Sequence, residues 1–223
     1  MSEVKEGIIP VREQVYNRIK SAILSNEYEP GDIIPIDRLA REIGISATPI
    51  REAIIRLEST GLLELIPNKG ARVIEITPRD ITDNWELRLI LEPYAARKTA
   101  LLDLDEEIQE LERHIHSLME KAYDHESYVS ADNELHRLLF SHVENTVLRE
   151  TIERIHYQSL RMRYYAENVS QNNKEVIQKV CSEHLEILDA LKAKDPAKTE
   201  QAVKRHLRNG EQRTLATTLA KQK

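Results

Sequence analysis

The stretch of sequence that most constrains the fold lies between residues 37 and 72. Asp37–Ile43 has the periodicity of a short amphipathic helix, and Gly44 interrupts that pattern. A second helix is predicted to begin at Ser46 or Thr48, because either hydroxyl can cap the unpaired N–H groups of a first turn. Two helices joined by a glycine turn over so short a distance indicate a helix-turn-helix.

A β-hairpin is predicted directly after the second helix. Residues 62–66 and 71–76 are short β-type runs, and an Asn-Lys-Gly turn separates them. The apolar residues of the second helix recur at intervals of three and four positions and are expected to face inward. These residues are Ile50, Ala53, Ile54 and Leu57. The hairpin extends the prediction to a winged helix-turn-helix, a fold that commonly lays its second helix in the major groove of DNA.

The outward-facing polar residues of this region are the candidate DNA contacts. They are Arg38, Ser46, Thr48, Arg51, Lys69 and Gly70. The chain has 223 residues and a formal net charge of −6, but residues 38–72 hold six Lys and Arg against four Glu, which is +2. DNA binding requires a local basic surface rather than a basic protein, so this balance predicts weak non-specific binding and reliance on a dimer. An ordinary solvated helix face is the alternative reading.

From Thr77 onward the sequence predicts only helices. Thr77 and Asp80 match a capping box, with Pro78 at the first helical position. The helices are predicted at 78–102, 104–123, 127–143, 145–167, 171–194 and 196–220. The expected fold class is therefore mainly α, with a winged helix-turn-helix domain over residues 1–77 and an all-α bundle over residues 78–223.

Four polar residues fall on apolar stripes of this bundle. Asp132 and His136 are one helical turn apart, and His184 and His206 lie on the last two predicted helices. Burying three imidazoles and a carboxylate is costly unless they satisfy one another or bind a divalent metal. Zn²⁺, Ni²⁺, Mn²⁺ and Fe²⁺ all suit such a donor set. Hydrogen-bonded core residues are the alternative, and the other histidines are expected to be surface or packing residues: His114, His116, His125, His142 and His156.

The remaining features of the chain favour the cytoplasm. Cys181 is the single cysteine, which excludes an internal disulfide and fits a reducing compartment. The N-terminus lacks the apolar run of a signal peptide, and no segment approaches the roughly 20 apolar residues that span a bilayer. We therefore expect no membrane association.

The segment SATPIREAIIRL, residues 46–57, resembles the GntR family of bacterial transcription regulators, and flanking similarity extends over about residues 8–76. The resemblance implies binding of double-stranded DNA at a palindromic operator by a homodimer. The chain departs from the family pattern at Ala47, where arginine is common, and near Asp37, where many members have arginine. If those arginines read guanine in other members, this chain lacks the contacts or uses Arg38 and Arg41 instead.

A second resemblance covers about residues 78–215. The segments ELRLILEPYAAR, ADNELHRLLF, SEHLEILDAL and DPAKTEQAVKRH are similar to the FCD ligand-binding domain of the FadR subfamily. In that pattern the metal ligands fall on Asp132, His136, His184 and His206, with zinc the expected ion. The resemblance also implies a small organic acid as effector. Arg88 matches a position that is often basic and is predicted to pair with an effector carboxylate, the alternative being a salt bridge with Glu92.

A denser patch of aromatic and basic residues is expected to line either the effector pocket or the dimer surface. It consists of Tyr157, Arg161, Met162, Arg163, Tyr164 and Tyr165. The resulting hypothesis is a metal-containing, metabolite-responsive transcription factor, most simply a repressor, and not an enzyme. Two alternatives remain at this point: a metalloenzyme, since His₃Asp sites also catalyse, and an unregulated DNA-binding protein with a purely structural metal.

Overall fold

The computed structural model of this chain describes residues 10–67, 69–120, 124–167 and 173–221. The chain forms two compact units, Met1–Ile76 and Thr77–Lys223. The mainly α architecture expected from the sequence is confirmed. Within the described ranges, no helix combines the length and the apolar character that crossing a bilayer requires.

The first unit is a winged helix-turn-helix. Its elements are α1 (Val11–Leu24), β1 (Ile33–Ile34), α2 (Ile36–Ile43), α3 (Ala47–Ser59), β2 (Leu63–Ile66) and β3 (Gly70–Val73). The two strands of the predicted hairpin, β2 and β3, pair antiparallel. The third strand, β1, was not predicted from the sequence and pairs with the other edge of β3, giving the order β1-β3-β2. The sheet and the three helices enclose an apolar core to which the inward stripe of α3 contributes Ile50, Ala53, Ile54 and Leu57.

The turn between α2 and α3 depends on a left-handed residue. Gly44 ends α2 with φ of 76°, and its N–H donates to the carbonyl of Ala40. Ser46 occupies the N-cap position of α3, but its side chain accepts no capping hydrogen bond, so the sequence-based expectation of a hydroxyl cap is not met at Ser46. The exposed first turn of α3 therefore keeps its donors and the Ser46 hydroxyl available to a ligand.

Gly70 is required by the close approach of β1 to β3. Its φ is +111°, and a Cβ atom at this position would lie 2.2 Å from the Ile34 carbonyl oxygen. We expect Gly70→Ala to destabilise the winged domain by about 2–4 kcal/mol, because both the left-handed backbone and the contact with Ile34 have to be disrupted. Urea denaturation followed by circular dichroism measures this loss. Gly210→Ala is a suitable control, because a Cβ there meets nothing closer than 3.5 Å, and equal stability of the two variants would contradict the assigned role.

The second unit is an all-α bundle over the residues described. Its helices are α4 (Pro78–Thr99), α5 (Asp105–Glu120), α6 (His125–Ser141), α7 (Thr146–Glu167), α8 (Asn173–Lys192) and α9 (Pro196–Lys221). Each corresponds to one predicted span, while the predicted ends at 121–123 and 171–172 lie outside the described residues. The helix α4 packs against α6, α7 and α9, while α8 packs against α5 and α9.

The helix α4 has two distinctive positions. Its start carries the predicted capping box, in which the Thr77 side chain accepts from the Asp80 N–H and the Asp80 carboxylate accepts from the Thr77 N–H. Pro93 lies inside the helix and has no N–H to donate to the carbonyl four residues earlier. The first feature fixes where the helix begins, and the second leaves one carbonyl without its helical partner in mid-helix.

Candidate metal centre and DNA-binding surface

All but one of the candidate DNA contacts are exposed residues of the winged unit. Ser46, Thr48 and Arg51 are exposed on or just before α3, and Lys69 is exposed beside the hairpin turn, whereas Gly70 is half-buried. Arg38 is exposed on α2 and forms an ion pair of 2.7 Å with Glu42. Arg51 has no recorded hydrogen bond or ion pair with any described residue, so its guanidinium is available without first giving up a protein partner.

Three of the four predicted metal ligands come together in the core of the bundle. One donor atom from each of Asp132, His136 and His206 lies within 4.8 Å of the others, and all three residues are buried. The fourth, His184, approaches Asp132, with 3.5 Å between His184 Nε2 and Asp132 Oδ1. The ring centroids of His184 and His206 are 4.8 Å apart. The helices α6, α8 and α9 thus each contribute to one buried cluster.

Two carboxylates outside the predicted ligand set orient the imidazoles. Glu92 Oε2 lies 2.8 Å from His136 Nδ1, and Glu183 Oε2 lies 2.8 Å from His206 Nδ1. Each contact assigns the proton to Nδ1 and leaves a lone pair on Nε2. The two Nε2 atoms face each other at 3.3 Å. Two acceptors at this distance need a donor or a cation beside them, and for His136 the guanidinium of Arg88 lies close, with Nη2 3.2 Å from Nε2.

The hydrogen bonding of these residues is consistent with a divalent metal, because some of their buried polar atoms lack a good hydrogen-bond partner. Asp132 Oδ1 and His184 Nε2 are both buried and lie 3.5 Å apart, and neither forms a hydrogen bond of good geometry with a described residue. Burying such atoms without partners is costly. A cation coordinated by one carboxylate oxygen and neutral imidazole nitrogens would satisfy these two atoms and the facing Nε2 pair together.

The ionisation states suit metal binding at neutral pH. Burial lowers the pKa of His206 to about 3 against the opposing effect of Glu183, so the ring is neutral. Burial likewise lowers the pKa of His136. For Asp132 burial acts in the other direction, but the neighbouring Arg163 guanidinium and the histidines outweigh it and hold the pKa well below its usual range. His136 and His206 therefore present neutral imidazoles, and Asp132 presents an ionised carboxylate.

Arg88 is enclosed rather than open to the bundle surface. Its side chain is 1% exposed and forms an ion pair of 2.5 Å with Glu92, the contact foreseen as the alternative to effector binding. Arg88 Nη2 also lies 3.3 and 3.2 Å from the two ring nitrogens of His136. Arg88 is therefore adjacent to the candidate metal centre, where it contributes a buried positive charge.

Two further residues adjoin the cluster: His156, which the sequence assigned to the surface or packing residues, and Arg163, which it assigned to the aromatic and basic patch. His156 is buried and hydrogen-bonded to Asn133 at 2.9 Å, with its ring centroid 5.1 Å from that of His136. It is a core residue adjoining the centre, and its Nδ1 has no hydrogen-bond partner among the described residues. Arg163 binds Asp132 through a short ion pair between Nη1 and Oδ2. Only the i, i+4 spacing of Arg88 and Glu92 gave a sequence signal for the outer groups.

The aromatic and basic patch on α7 is divided by the structure. Arg161 and Met162 are buried, and Tyr157 is half-buried. Burial lowers the pKa of Arg161 to about 10, with Asp80 opposing the shift. The side chains of Tyr164 and Tyr165 lie outside the described part of the chain. Of this patch, Arg163 is the member that directly contacts a candidate metal ligand.

Glu183 is expected to support the metal through His206. Its carboxylate also accepts hydrogen bonds from Asn209 and Arg213, each at 2.8 Å. Burial acts to raise the pKa of Glu183, but the hydrogen bonds from His206 and Arg213 prevail and lower it to about 2. We expect Glu183→Gln to weaken zinc binding by about 10–100-fold, because the amide polarises His206 less than the carboxylate does. Competition against a chromogenic chelator measures the change.

The control for this substitution is Glu186→Gln on the same helix. Glu186 is exposed and pairs with Arg205, away from the candidate ligands. Zinc affinity should be unchanged in that variant. If Glu183→Gln and the wild-type protein bound zinc equally tightly, Glu183 would not influence metal binding through His206.

Both units match known protein families. Residues 11–73 match the model of bacterial regulatory proteins of the gntR family, and residues 83–209 match the FCD domain. The chain is 32% identical over 188 residues to the HTH-type transcriptional regulator McbR of Escherichia coli K12, with 82% of each chain covered. It is 25% identical over 202 residues to the HTH-type transcriptional repressor RspR of the same organism, covering 89% of this chain and 86% of RspR.

A solved structure of E. coli McbR/YncC has the same fold. It superposes with a TM-score of 0.77 at 24% identity and covers 91% of this chain and 95% of that chain. The matched domains and relatives are transcription regulators rather than enzymes, which removes the metalloenzyme alternative. The chain therefore belongs to the GntR family of bacterial transcription regulators, as a member with an FCD domain behind the winged helix-turn-helix.

Proposed function

We propose that this protein is a repressor whose operator binding is controlled by a small organic acid bound at a metal site in the FCD domain. Two copies bind a palindromic operator, because the two-fold symmetry of a homodimer matches the symmetry of such a site. The contacts are made by Arg38, Ser46, Thr48, Arg51, Lys69 and Gly70. Repression is favoured by the similarity to RspR, which is named as a repressor.

The proposal that an effector binds at a metal rests on one observation: the buried carboxylate and imidazole groups that meet in the bundle could together coordinate an ion. Asp132, His136, His184 and His206 hold the metal, with zinc the first candidate. The bound ion supplies a Lewis acid to which a carboxylate oxygen can coordinate. Glu92 and Glu183 orient His136 and His206, and Arg88 adds positive charge beside the site. A packing role alone gives Asp132 Oδ1 and His184 Nε2 only a long contact with each other, at 3.5 Å.

Regulation requires that the effector bind two states of the protein with different affinity. The test uses full-length, zinc-loaded protein and an operator selected from random DNA by the protein itself. Fluorescence anisotropy then measures operator affinity across a panel of carboxylic acids. We expect at least one acid to weaken operator binding by tenfold or more. Unchanged affinity across the panel, with zinc bound, would favour a purely structural metal and unregulated DNA binding.

A further inference from the structure

Two arginines of the bundle are almost completely buried, and they differ in what surrounds them. Arg88 is 1% exposed, and its Nε and Nη2 atoms lie 2.5 and 3.4 Å from the two carboxylate oxygens of Glu92. Arg161 on α7 is 4% exposed, but its buried Nε and Nη2 atoms have no hydrogen-bond partner among the described residues. A buried guanidinium without a partner is strongly disfavoured, so Arg161 needs a partner that Arg88 already has.

Asp80 lies in the surroundings of Arg161 but does not supply that partner. It raises the pKa of Arg161 against the opposing effect of burial. Its Oδ2 atom already closes the capping box, where it accepts from the Thr77 N–H at 2.8 Å and from the Thr77 hydroxyl at 2.6 Å. Asp80 is also exposed, and water weakens the attraction of an exposed charge. The Nε and Nη2 edge of Arg161 therefore stays without a two-point contact among the described residues.

The face of α4 beside Arg161 carries a second polar atom without a partner. Asn84 lies one turn after Asp80 and is 4% exposed. Its Nδ2 donates at 3.4 Å to Gln158, which lies about one turn before Arg161 on α7. Its Oδ1 is buried and has no hydrogen-bond partner within the described ranges. Where α4 and α7 meet, an unpaired acceptor thus accompanies the unpaired cation.

A third such group comes from α9, which runs antiparallel to α4. An ion pair of 2.8 Å joins Arg97 to Glu200, and Trp85 lies beside Gly210. The same register brings Thr218 opposite the start of α4. Thr218 is completely buried, and its hydroxyl has no hydrogen-bond partner in the part of the chain that the structure describes. Three helices therefore bring unsatisfied polar groups to the same end of the bundle.

We propose that Arg161 anchors a second ligand site, which binds an oxyanion, a carboxylate or phosphate group, separately from the metal centre. The Nε–H and Nη2–H bonds leave one edge of the guanidinium side by side, and this spacing matches two oxygen atoms of such a group. Arg88 uses the same edge to bind Glu92. Asn84 and Thr218 offer further hydrogen bonds to hydroxyl groups of the ligand.

The site is directed away from the candidate metal ligands. Arg163, two positions further along α7, pairs with Asp132. Two positions turn a side chain by about 200° around a helix, so Arg161 lies on the other side of α7. Asp80 and Thr77 are exposed at this end of the bundle, which gives a ligand a short path from solvent. Binding at Arg161 therefore requires no metal.

The test measures oxyanion binding by full-length protein, both loaded with zinc and after chelation. Isothermal titrations use acetate and phosphate separately, with chloride holding the ionic strength constant. We expect one of the two to bind saturably in both forms, and the tighter of them identifies the ligand group. Arg161→Met keeps the aliphatic stem and should weaken this binding by about 10–100-fold, the loss expected for hydrogen bonds to a charged group. Arg161→Lys should retain part of the affinity.

The control is Arg154→Met, which removes the same charge from an exposed position of α7. It should bind the anion as tightly as the wild-type protein does. Equal affinities for Arg161→Met and Arg154→Met, or no saturable binding of either anion by the wild-type protein, would overturn the inference. Binding that persists after chelation would leave this site standing even if no acid acted through zinc.

Thermal melts separate a ligand site from a guanidinium that the protein itself holds. An unpaired buried charge destabilises the ligand-free fold, so in chloride Arg161→Met should melt at or above the Tm of the wild-type protein. The oxyanion should raise the Tm of the wild-type protein and leave that of Arg161→Met unchanged. If Arg161→Met melted far below the wild-type protein in chloride and the oxyanion changed neither Tm, Arg161 would have its partner within the protein and the inference would be wrong.

Discussion

Arg51→Ala is expected to abolish tight operator binding. Arg51 is exposed near the start of α3 and has no recorded protein partner among the described residues, so its removal leaves the winged fold intact. An arginine that contacts a guanine edge contributes about 1–3 kcal/mol, and a dimer makes the contact twice. The loss is therefore expected to be about 2–6 kcal/mol, or roughly 30-fold to 10⁴-fold in affinity. Anisotropy with the selected operator measures it at one fixed salt concentration.

The matched control is Arg79→Ala in α4. Arg79 is exposed and pairs with Asp83, so the substitution makes the same change in net charge outside the winged unit. Its effect on operator affinity should be small. If Arg51→Ala bound the operator as tightly as Arg79→Ala, α3 would not be the helix that reads this DNA. A variant that loses affinity equally for operator and random DNA would assign Arg51 to phosphate contact instead.

His206→Ala is expected to reduce metal content from about one ion per chain to a small fraction of that value, because metal ligation is a direct bond. Removing His206 leaves the two-point contact between Glu183 and Arg213 in place. At a free zinc concentration of about 100 Kd, binding stabilises the wild-type fold by about 2.7 kcal/mol. For a unit of this size that corresponds to roughly 5–10 °C in Tm. The increase in Tm on adding zinc should be absent in His206→Ala.

Elemental analysis and thermal melts with and without zinc test this expectation together. His142→Ala is the control, because His142 is exposed after the end of α6, with its Nε2 4.0 Å from Glu107, and is not among the candidate ligands. It should retain both the ion and the zinc-dependent shift. One firmly bound zinc per chain in His206→Ala would mean that His206 is a packing residue and that any metal lies elsewhere.

The limits of prediction from this sequence have a physical basis. Local periodicity identified α3 and its buried stripe, because helical spacing alone determines which side chains face inward. The same spacing brought Asp132 and His136 onto one face of α6. By contrast, β1 has only two residues, which is too short for an alternating pattern to be read.

The residues that surround the candidate metal ligands could not be predicted from local spacing. Glu183 meets His206 across 23 positions, Arg163 meets Asp132 across 31, and Glu92 meets His136 across 44. Packing between helices creates these pairs, and no local pattern encodes that packing. The resemblance to the FCD domain supplied the ligand set as a whole.

The proline inside α4 lies next to the candidate metal centre. Pro93 adjoins Glu92, the residue that orients His136, and weakens the helix beside this contact. From Glu92 back to Pro78 the helix is an arm of about 21 Å, at 1.5 Å per residue. A tilt of only about 5° at Pro93 then displaces the far end by roughly 2 Å. The capping box at Thr77 fixes where that arm begins, and its buried residues Ile81, Trp85 and Arg88 pack it into the bundle, so any such tilt has to be shared by the neighbouring helices α6, α7 and α9.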